Sequence, residues 1–280
     1  MNLKLIKASI LFLMLGLSLH SIGQNRYHVD ETIYDRDSSK LKSTNELITG
    51  VVYDQYENGQ LKIEANLKDG KEEGLWKYWH ENGQLKIEAN FKDGKEDGLY
   101  KDWYESGQLE NKGNFKDGKE DGLWKKWHEN GQLKVEENFK DGNRDGLERS
   151  WYENGQLKIE ANLKDGKEEG LWKYWHENGQ LKIEANFKDG NRDGLERSWY
   201  ENGQLRFEGN FKDGKVDGLH KGWDENGQLR FEGNFKDGKE EGLNRYRHEN
   251  GQLHFEINYT DGNIISQTCW DEKGNEIECD

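Results

Sequence analysis

The sequence predicts an all-β protein: an elongated antiparallel β-meander of tandem 24-residue β-hairpins forming a single twisted sheet. Three observations predict it. A Gly-Gln-Leu triplet returns at Gly59, Gly83, Gly107, Gly131, Gly155, Gly179, Gly203, Gly227 and Gly251, and the spacing never slips from 24. A fixed period of this size marks a stacked array of one supersecondary unit. Within the unit, Leu61-Lys62-Ile63-Glu64-Ala65-Asn66-Leu67 alternates apolar and polar, the period of a half-buried strand. Two glycine-bearing turns, Asp69-Gly70 and Glu81-Asn82-Gly83, then break the chain every 24 residues, which disfavours a helix.

The elements follow in chain order. Residues 1–23 read as a secretory signal: Lys4 and Lys7 form the basic start, Ala8–Leu19 the apolar stretch, and Ser21-Ile22-Gly23 a small-residue cleavage site. The apolar run is short for a bilayer span, so no membrane insertion is expected after cleavage. Residues 24–48 are a polar lead outside the phase of the array, either flexible or a degenerate first strand. The array is assigned to residues 49–262, its phase caught at Thr49-Gly50-Val51-Val52-Tyr53. Residues 263–280 are expected to form a capping hairpin. There Cys269 and Cys279 flank a degenerate turn around Gly274, and an exported chain meets oxidising conditions, so a disulfide between them is expected.

Comparison of the nine copies sets an expectation about faces. The return strand keeps Leu at its first position, Lys or Arg at its third, and Trp at its fifth from Trp79 to Trp223. Its second position wanders through Trp76, Tyr100, Trp124, Glu148, Trp172, Glu196, His220 and Asn244, and its fourth wanders as freely. Fixed residues are expected to pack and wandering ones to be solvated. This places Leu75 and Trp79 with Leu61, Ile63, Ala65 and Leu67, given a three-residue Glu-Asn-Gly loop; a two-residue turn would swap the faces. One apolar face must be covered, by rolling of the twisted sheet or by a second copy in a homodimer. At ~4.8 Å between strands, each copy advances about 10 Å and nine reach on the order of 90 Å.

Composition bounds the partners. Apolar residues make up 31% and charged ones 35%, with a net charge of -15, yet 11 Trp, 12 Tyr and 10 Phe recur at fixed phases. That combination is a folded chain with a thin core. An acidic surface disfavours nucleic acid and anionic lipid, which need clustered Lys and Arg. The absence of Pro suits an unbroken ladder.

Asp-Gly-Lys, then Gly-Leu-Trp-Lys-Tyr-Trp-His, then Glu-Asn-Gly-Gln-Leu, as at Asp165–Leu181, resemble the MORN-repeat variant of bacterial YwqK-type toxin–antitoxin antitoxins. The resemblance covers about Thr49 to Gly262. It implies an elongated antiparallel sheet that dimerises, scaffolds or approaches membranes, and an antitoxin that sequesters a protein toxin. Export would put an intracellular toxin out of reach, so the antitoxin role is discounted.

No catalytic residue, cofactor or metal is expected. Asp141–Gly146 opens like a calcium loop, but its twelfth position is Tyr152 and most copies carry Lys at the third ligand position. His80, His128 and His176 stand two copies apart, about 20 Å in the array, too far to share an ion. The carboxylates Glu64 and Glu72 have counterparts along the array, with no distinct pocket to separate two pKa values. A Trp79-to-Trp223 row reads as core rather than as a sugar platform. The candidate partner-binding residues are Trp76, Tyr78, Tyr100, Trp124, Trp172 and Tyr174, expected on the variable face.

These readings describe an exported, non-enzymatic scaffold that binds a protein partner at the cell surface, in the periplasm or outside. A cell-surface carbohydrate-binding module and an antitoxin-like protein are the alternatives. Glu57–Gly94 recurs letter for letter at Glu153–Gly190, which fits an array that gains and loses units. Deleting Glu105–Tyr152, two whole units, should therefore leave a folded all-β protein by circular dichroism; loss of the β signal would rule out the array.

Overall fold

The computed structural model describes residues 24–35 and 38–279; the predicted export signal, 1–23, lies outside the described residues. At the N-terminal end, β1 (Arg26–His28) pairs parallel with β4 (Gly50–Gln55), while β2 (Thr32–Asp35) and β3 (Ser38–Leu41) form a separate hairpin. Ile48, Val52 and Leu67 are buried beneath Tyr27 and Leu41, so this polar lead folds onto the first copy. From β4 onward the strands run antiparallel, each beside its sequence neighbours, within a 25-stranded sheet. Strands 263–270 and 276–277 close the far end, where Cys269 and Cys279 are joined by a disulfide.

Each copy is a hairpin such as β5 (Leu61–Lys68) with β6 (Lys71–Trp79), and β7 (Leu85–Lys92) begins the next. Asp69 and Gly70 take φ of 51° and 78°, the pair of positive values that a tight I′ turn demands. The other turn is the three-residue Glu81-Asn82-Gly83 loop: Gly83 N–H donates to His80 O at 2.9 Å, and His80 N–H donates to Gln84 O at 2.8 Å. Gly83 has φ of 84°, which the Cβ of another residue would strain.

These two turns differ by one residue, and that difference would turn alternate copies inside out. A one-residue register shift puts every side chain on the opposite face. The chain corrects it once per copy with a bulge. Trp79 stands opposite Leu85, but the next pair is Tyr78 with Ile87, leaving Lys86 as the extra residue. Equivalent shifts recur at Trp103, Trp127, Trp151, Trp175, Trp199 and Trp223. A β-bulge of this kind sharpens local twist as well as register.

The bulge overturns the expected assignment of faces. Residues directly opposite in a ladder share a face. Trp76 lies opposite both Ala65 and Ala89, and Tyr78 opposite both Ile63 and Ile87. The wandering second and fourth positions therefore face inward with the apolar strand. Leu75 lies opposite Asn90 and Lys77 opposite Glu88, on the other side. Leu123, Leu171, Leu219 and Leu243, expected in the core, are 38–42% exposed on that outer face. The regularity of the third position also has its cause there, in cross-strand ion pairs such as Lys125–Glu136 at 2.8 Å and Arg197–Glu208 at 2.7 Å.

The core is a single file of side chains across the strands. It runs Ala65, Trp76, Ala89, Tyr100, Gly113, Trp124, and continues through Ala161, Trp172, Ala185, Glu196, Gly209, His220, Gly233 and Asn244. Ala65, Ala89, Ala161 and Ala185 are at most 3% exposed, and Trp124 is 4% exposed. Small and large residues alternate, because a large side chain on one strand needs the space above its neighbours. At the first copy, Leu41 of the β2–β3 hairpin packs on the cluster that holds Val52 and Leu67. Beyond it, no second sheet or helix covers this file among the described residues, so adjacent rows seal it. In the middle it turns ionic: Glu137 is 1% exposed, with Lys126 Nζ at 2.8 Å and Arg144 Nε at 3.1 Å, and Arg144 also reaches Glu148 at 3.3 Å. Buried charges persist only with such partners.

Side chains also clamp successive copies along both edges. The residue after each Trp, Tyr or His, bonds the Trp carbonyl of the next copy: Tyr56 to Trp79, His80 to Trp103, Tyr104 to Trp127. On the opposite edge, Glu73 accepts from the Asp93 N–H in the next Asp-Gly turn at 3.1 Å, as Asp145 does from Asp165 at 3.2 Å.

Two predictions follow from the file. A Cβ on Gly113 would lie 2.1 Å from the Trp124 ring, whereas one on Gly222 would meet nothing closer than 3.8 Å. Gly113→Ala should cost about 1–3 kcal/mol in urea unfolding, and Gly222→Ala should stay within about 0.5 kcal/mol of the parent. Burial holds the Glu148 carboxyl above its ordinary value, with Glu137 adding to the rise and Arg144 opposing it. The folded state then holds this proton more tightly than the unfolded state, so the burden is fully present at neutral pH and fades on acidification. Glu148→Gln should raise the melting temperature at pH 7, and the gain should vanish below pH 4.5, the ordinary carboxyl value.

Candidate functional site

The six residues expected on a solvated face lie on the inner side, distributed along the file rather than gathered into one site. Trp76 packs on Phe91 at 4.8 Å and on Tyr78 at 6.0 Å between ring centroids. Tyr100 lies 5.6 Å from Trp124, and Trp124 is edge-on to Phe115 at 5.1 Å. Its indole N–H donates to Asn114 O at 3.1 Å, the partner a buried Trp needs. Trp172 packs on Phe187 at 5.1 Å and Tyr174 at 5.8 Å. Burial, and then the nearby Asp102 carboxylate, push the Tyr100 phenol up. A hollow of about 390 Å³ lies beside it, lined by Glu96, Asp102, Glu120 and Lys126.

A larger opening is elsewhere, over residues that sequence reasoning passed by. It is a groove of about 1160 Å³ on the inner face, between the Glu-Asn-Gly edge and the file. Its origin is a change at the fourth position of the return strand. Across the ladder that row reads Tyr174, Ile183, Ser198, Phe207, Gly222, Phe231, Tyr246. Tyr fills the position in the flanking copies; Ser198 and Gly222 leave it empty. Ser150 is equally small, but its hydroxyl is buried between neighbours, and no groove opens there.

Buried polar groups form the floor. Glu196 is 8% exposed, and its Oε2 lies 3.1 Å from Arg192 Nε. Burial raises its pKa, while Arg192 and His220 pull it down. His220 is 4% exposed, and its ring is enclosed by Phe207 at 5.3 Å, Phe211 at 5.6 Å and Phe235 at 5.0 Å. Its Nε2 lies 2.9 Å from Asn210 O, so that nitrogen is assigned a proton, which it donates to the carbonyl. Trp199 and Trp223 line the turn side, and Arg192 lies over the Phe211 ring at 5.4 Å.

The edge clamp changes beside this groove. Asp224 takes the place of Tyr or His, and its carboxylate accepts from Asn226 N and Gln228 N at 3.0 Å within its own turn. Gln228 instead reaches the Glu249 carbonyl at 2.8 Å with its amide suitably turned.

The arrangement suits binding of a flat apolar group above buried polar atoms. Among the described residues no cluster of three or more His, Cys, Asp or Glu is placed to hold a metal ion. His80, His128 and His176 spend their Nε2 on the carbonyls of Trp103, Trp151 and Trp199. Sequence did carry a signal for the inner file: the fifth residue of the first strand is Ala or Gly wherever Trp76, Tyr100 or Trp172 lies opposite. The groove's signal was the loss of Tyr at Ser198 and Gly222, coupled with Phe207 and Phe231 where Ile63, Ile87, Ile159 and Ile183 stand in earlier copies.

No curated protein matches the chain in sequence. Among solved structures it is similar to crystal structures of TcdB2-TccC3-Cdc42 and of TcdB2-TccC3, each at 11% identity and a TM-score of 0.20. The matches cover 85% and 88% of this chain but only 14% and 16% of the others. The family described as MORN repeat variant matches nine consecutive segments, 48–69, 72–93, 96–117, 120–141, 144–165, 168–189, 192–213, 216–237 and 240–261. Nine tandem matches in step with nine hairpins leave one conclusion: the chain belongs to the MORN repeat variant family.

Proposed function

We propose that this chain is a non-enzymatic repeat scaffold that binds a protein partner through the inner face of its sheet, in the periplasm or at the cell surface. The observation that carries the reading is the groove over Ser198 and Gly222, where the row that Tyr174 and Tyr246 fill on either side is left open. An interface draws its affinity from a few aromatic and Arg anchors in desolvated pockets. Trp199, Phe207, Trp223 and Arg192 supply that composition here. Glu196 and His220 are committed to Arg192 and the Asn210 carbonyl, which leaves no nucleophile with a base beside it. No cofactor is part of this reading. A homodimer is not required to seal the file, because neighbouring rows already do so.

Two Trp side chains along one groove also favour a second reading, a carbohydrate-binding module in which Trp199 and Trp223 stack on sugar rings. The antitoxin role implied by the resemblance would instead have the same face sequester a toxin before export.

Site-specific photocrosslinking separates these readings. A benzoylphenylalanine at Ser198 should crosslink one protein in the envelope of cells that naturally make the chain, and one at the outward Leu171 should not. Equal labelling from both faces, or crosslinks to glycan alone, would refute the protein-binding reading. A cytoplasmic toxin as the crosslinked species would move it to the antitoxin role.

A further inference from the structure

The groove's chemistry specifies more than its existence, and this step rests on the protein-binding reading above. Neighbouring copies show what belongs in the empty seats. Tyr174 stands over Ile183 and against Trp172, with ring centroids 5.8 Å apart. Tyr246 stands over Phe231 at 4.8 Å and Phe255 at 4.4 Å. At Ser198 and Gly222 the same ladder positions flank Phe207 with no ring above it. The backbone beneath is ordinary: Gly222 does not need a positive φ, and a Cβ there has open space.

A second difference selects the kind of ring. Beside Tyr246 stands Glu240; burial, and then that carboxylate, push the phenol up to about 12. The residue equivalent to Glu240 in the Gly222 copy is Val216, and Val216 lines the groove. The equivalent residue is charged in seven preceding and following copies, Glu72, Glu96, Glu120, Arg144, Glu168, Arg192 and Glu240, and turns apolar again at Ile264 in the last. A phenol hydroxyl directed at Val216 would find no acceptor on that side chain, whereas Glu240 offers one to Tyr246. An unsubstituted ring would lose nothing.

We propose that the groove takes a phenylalanine side chain of the partner protein, seated over Phe207 and against Val216 where the flanking copies place their own Tyr. The occupant completes the aromatic row from outside, so the site recognises a bare aryl ring in preference to a phenol or a sugar.

Toluene is the probe for the bare ring, with p-cresol for the phenol and cellohexaose for the sugar, followed through the indole NMR signals of Trp199 and Trp223 in the full mature chain. Saturable toluene shifts are expected, with a dissociation constant on the order of millimolar for so small a ligand, and p-cresol should bind several-fold more weakly. Gly222→Tyr refills the seat in the manner of Tyr246 and should abolish the shifts, while Gly222→Ala leaves them intact. If Gly222→Tyr does not fold, Ser198→Tyr provides the same block one seat away. Absence of saturable toluene binding, p-cresol binding more tightly than toluene, or shifts that persist in a folded blocked variant would each overturn the proposal. Cellohexaose binding without toluene would assign the groove to sugar. Crosslinking from Ser198 is read independently, so the protein-binding reading survives failure of the aryl preference and the two can be told apart.

Discussion

Everything in this sheet depends on one extra residue per copy. A two-residue and a three-residue turn cannot alternate in a repeat of even length unless the register is corrected elsewhere. The bulge between Leu85 and Ile87, repeated down the array, is that correction. It costs one unpaired residue in each hairpin. In exchange, every copy presents the same side inward, and a continuous file of packed side chains becomes available to a single-layer sheet.

With the register fixed, stability can be local and graded. Each large side chain of the file is sealed by small residues on the strands beside it and by rings in adjacent rows. A chain with 31% apolar residues needs such economy, since burial in a thin layer is all it has. The file also accepts ions where partners stand ready, as with Glu137 between Lys126 and Arg144. Substitutions that look like drift on a solvated surface are thus changes inside the core, made tolerable by compensation one strand away. The groove arises from the same freedom: losing Tyr at Ser198 and Gly222 removes a lid without disturbing the ladder.

The period, the hairpins and both turns were legible in the sequence, because Asp-Gly and Glu-Asn-Gly carry strong local backbone preferences. The face was not. Position-by-position tolerance suggested that Leu75 and Trp79 pack while Trp76 and Tyr78 face water. Trp79 does stand opposite Leu85 on the inner side, but the inference failed for Leu75, Trp76 and Tyr78, for two physical reasons. Lys86 looks like any other strand residue, so the bulge has no signature of its own. The uniform Lys or Arg of the return strand also reflects outer-face ion pairing rather than burial. The candidate residues Trp76, Trp124 and Trp172 were found as a set, but their environment was inverted. The groove was invisible for a simpler reason: it is made by side chains that are missing, and only the ladder shows that Ser198 and Gly222 are neighbours across Phe207.

Asp224 has a mechanical consequence. Elsewhere along that edge a Tyr or His reaches across to the next Trp carbonyl, as Tyr200 does to Trp223 at 2.8 Å. Asp224 curls back on its own turn, and on that edge the joint to the following hairpin is left with Gln228 and the backbone ladder, while Asp217 still accepts from the Asp237 N–H on the opposite edge. A ribbon bends where its cross-ties are fewest. Torsion applied to the ends of the molecule would therefore be absorbed next to the groove, changing its width while the rest of the array stays stiff.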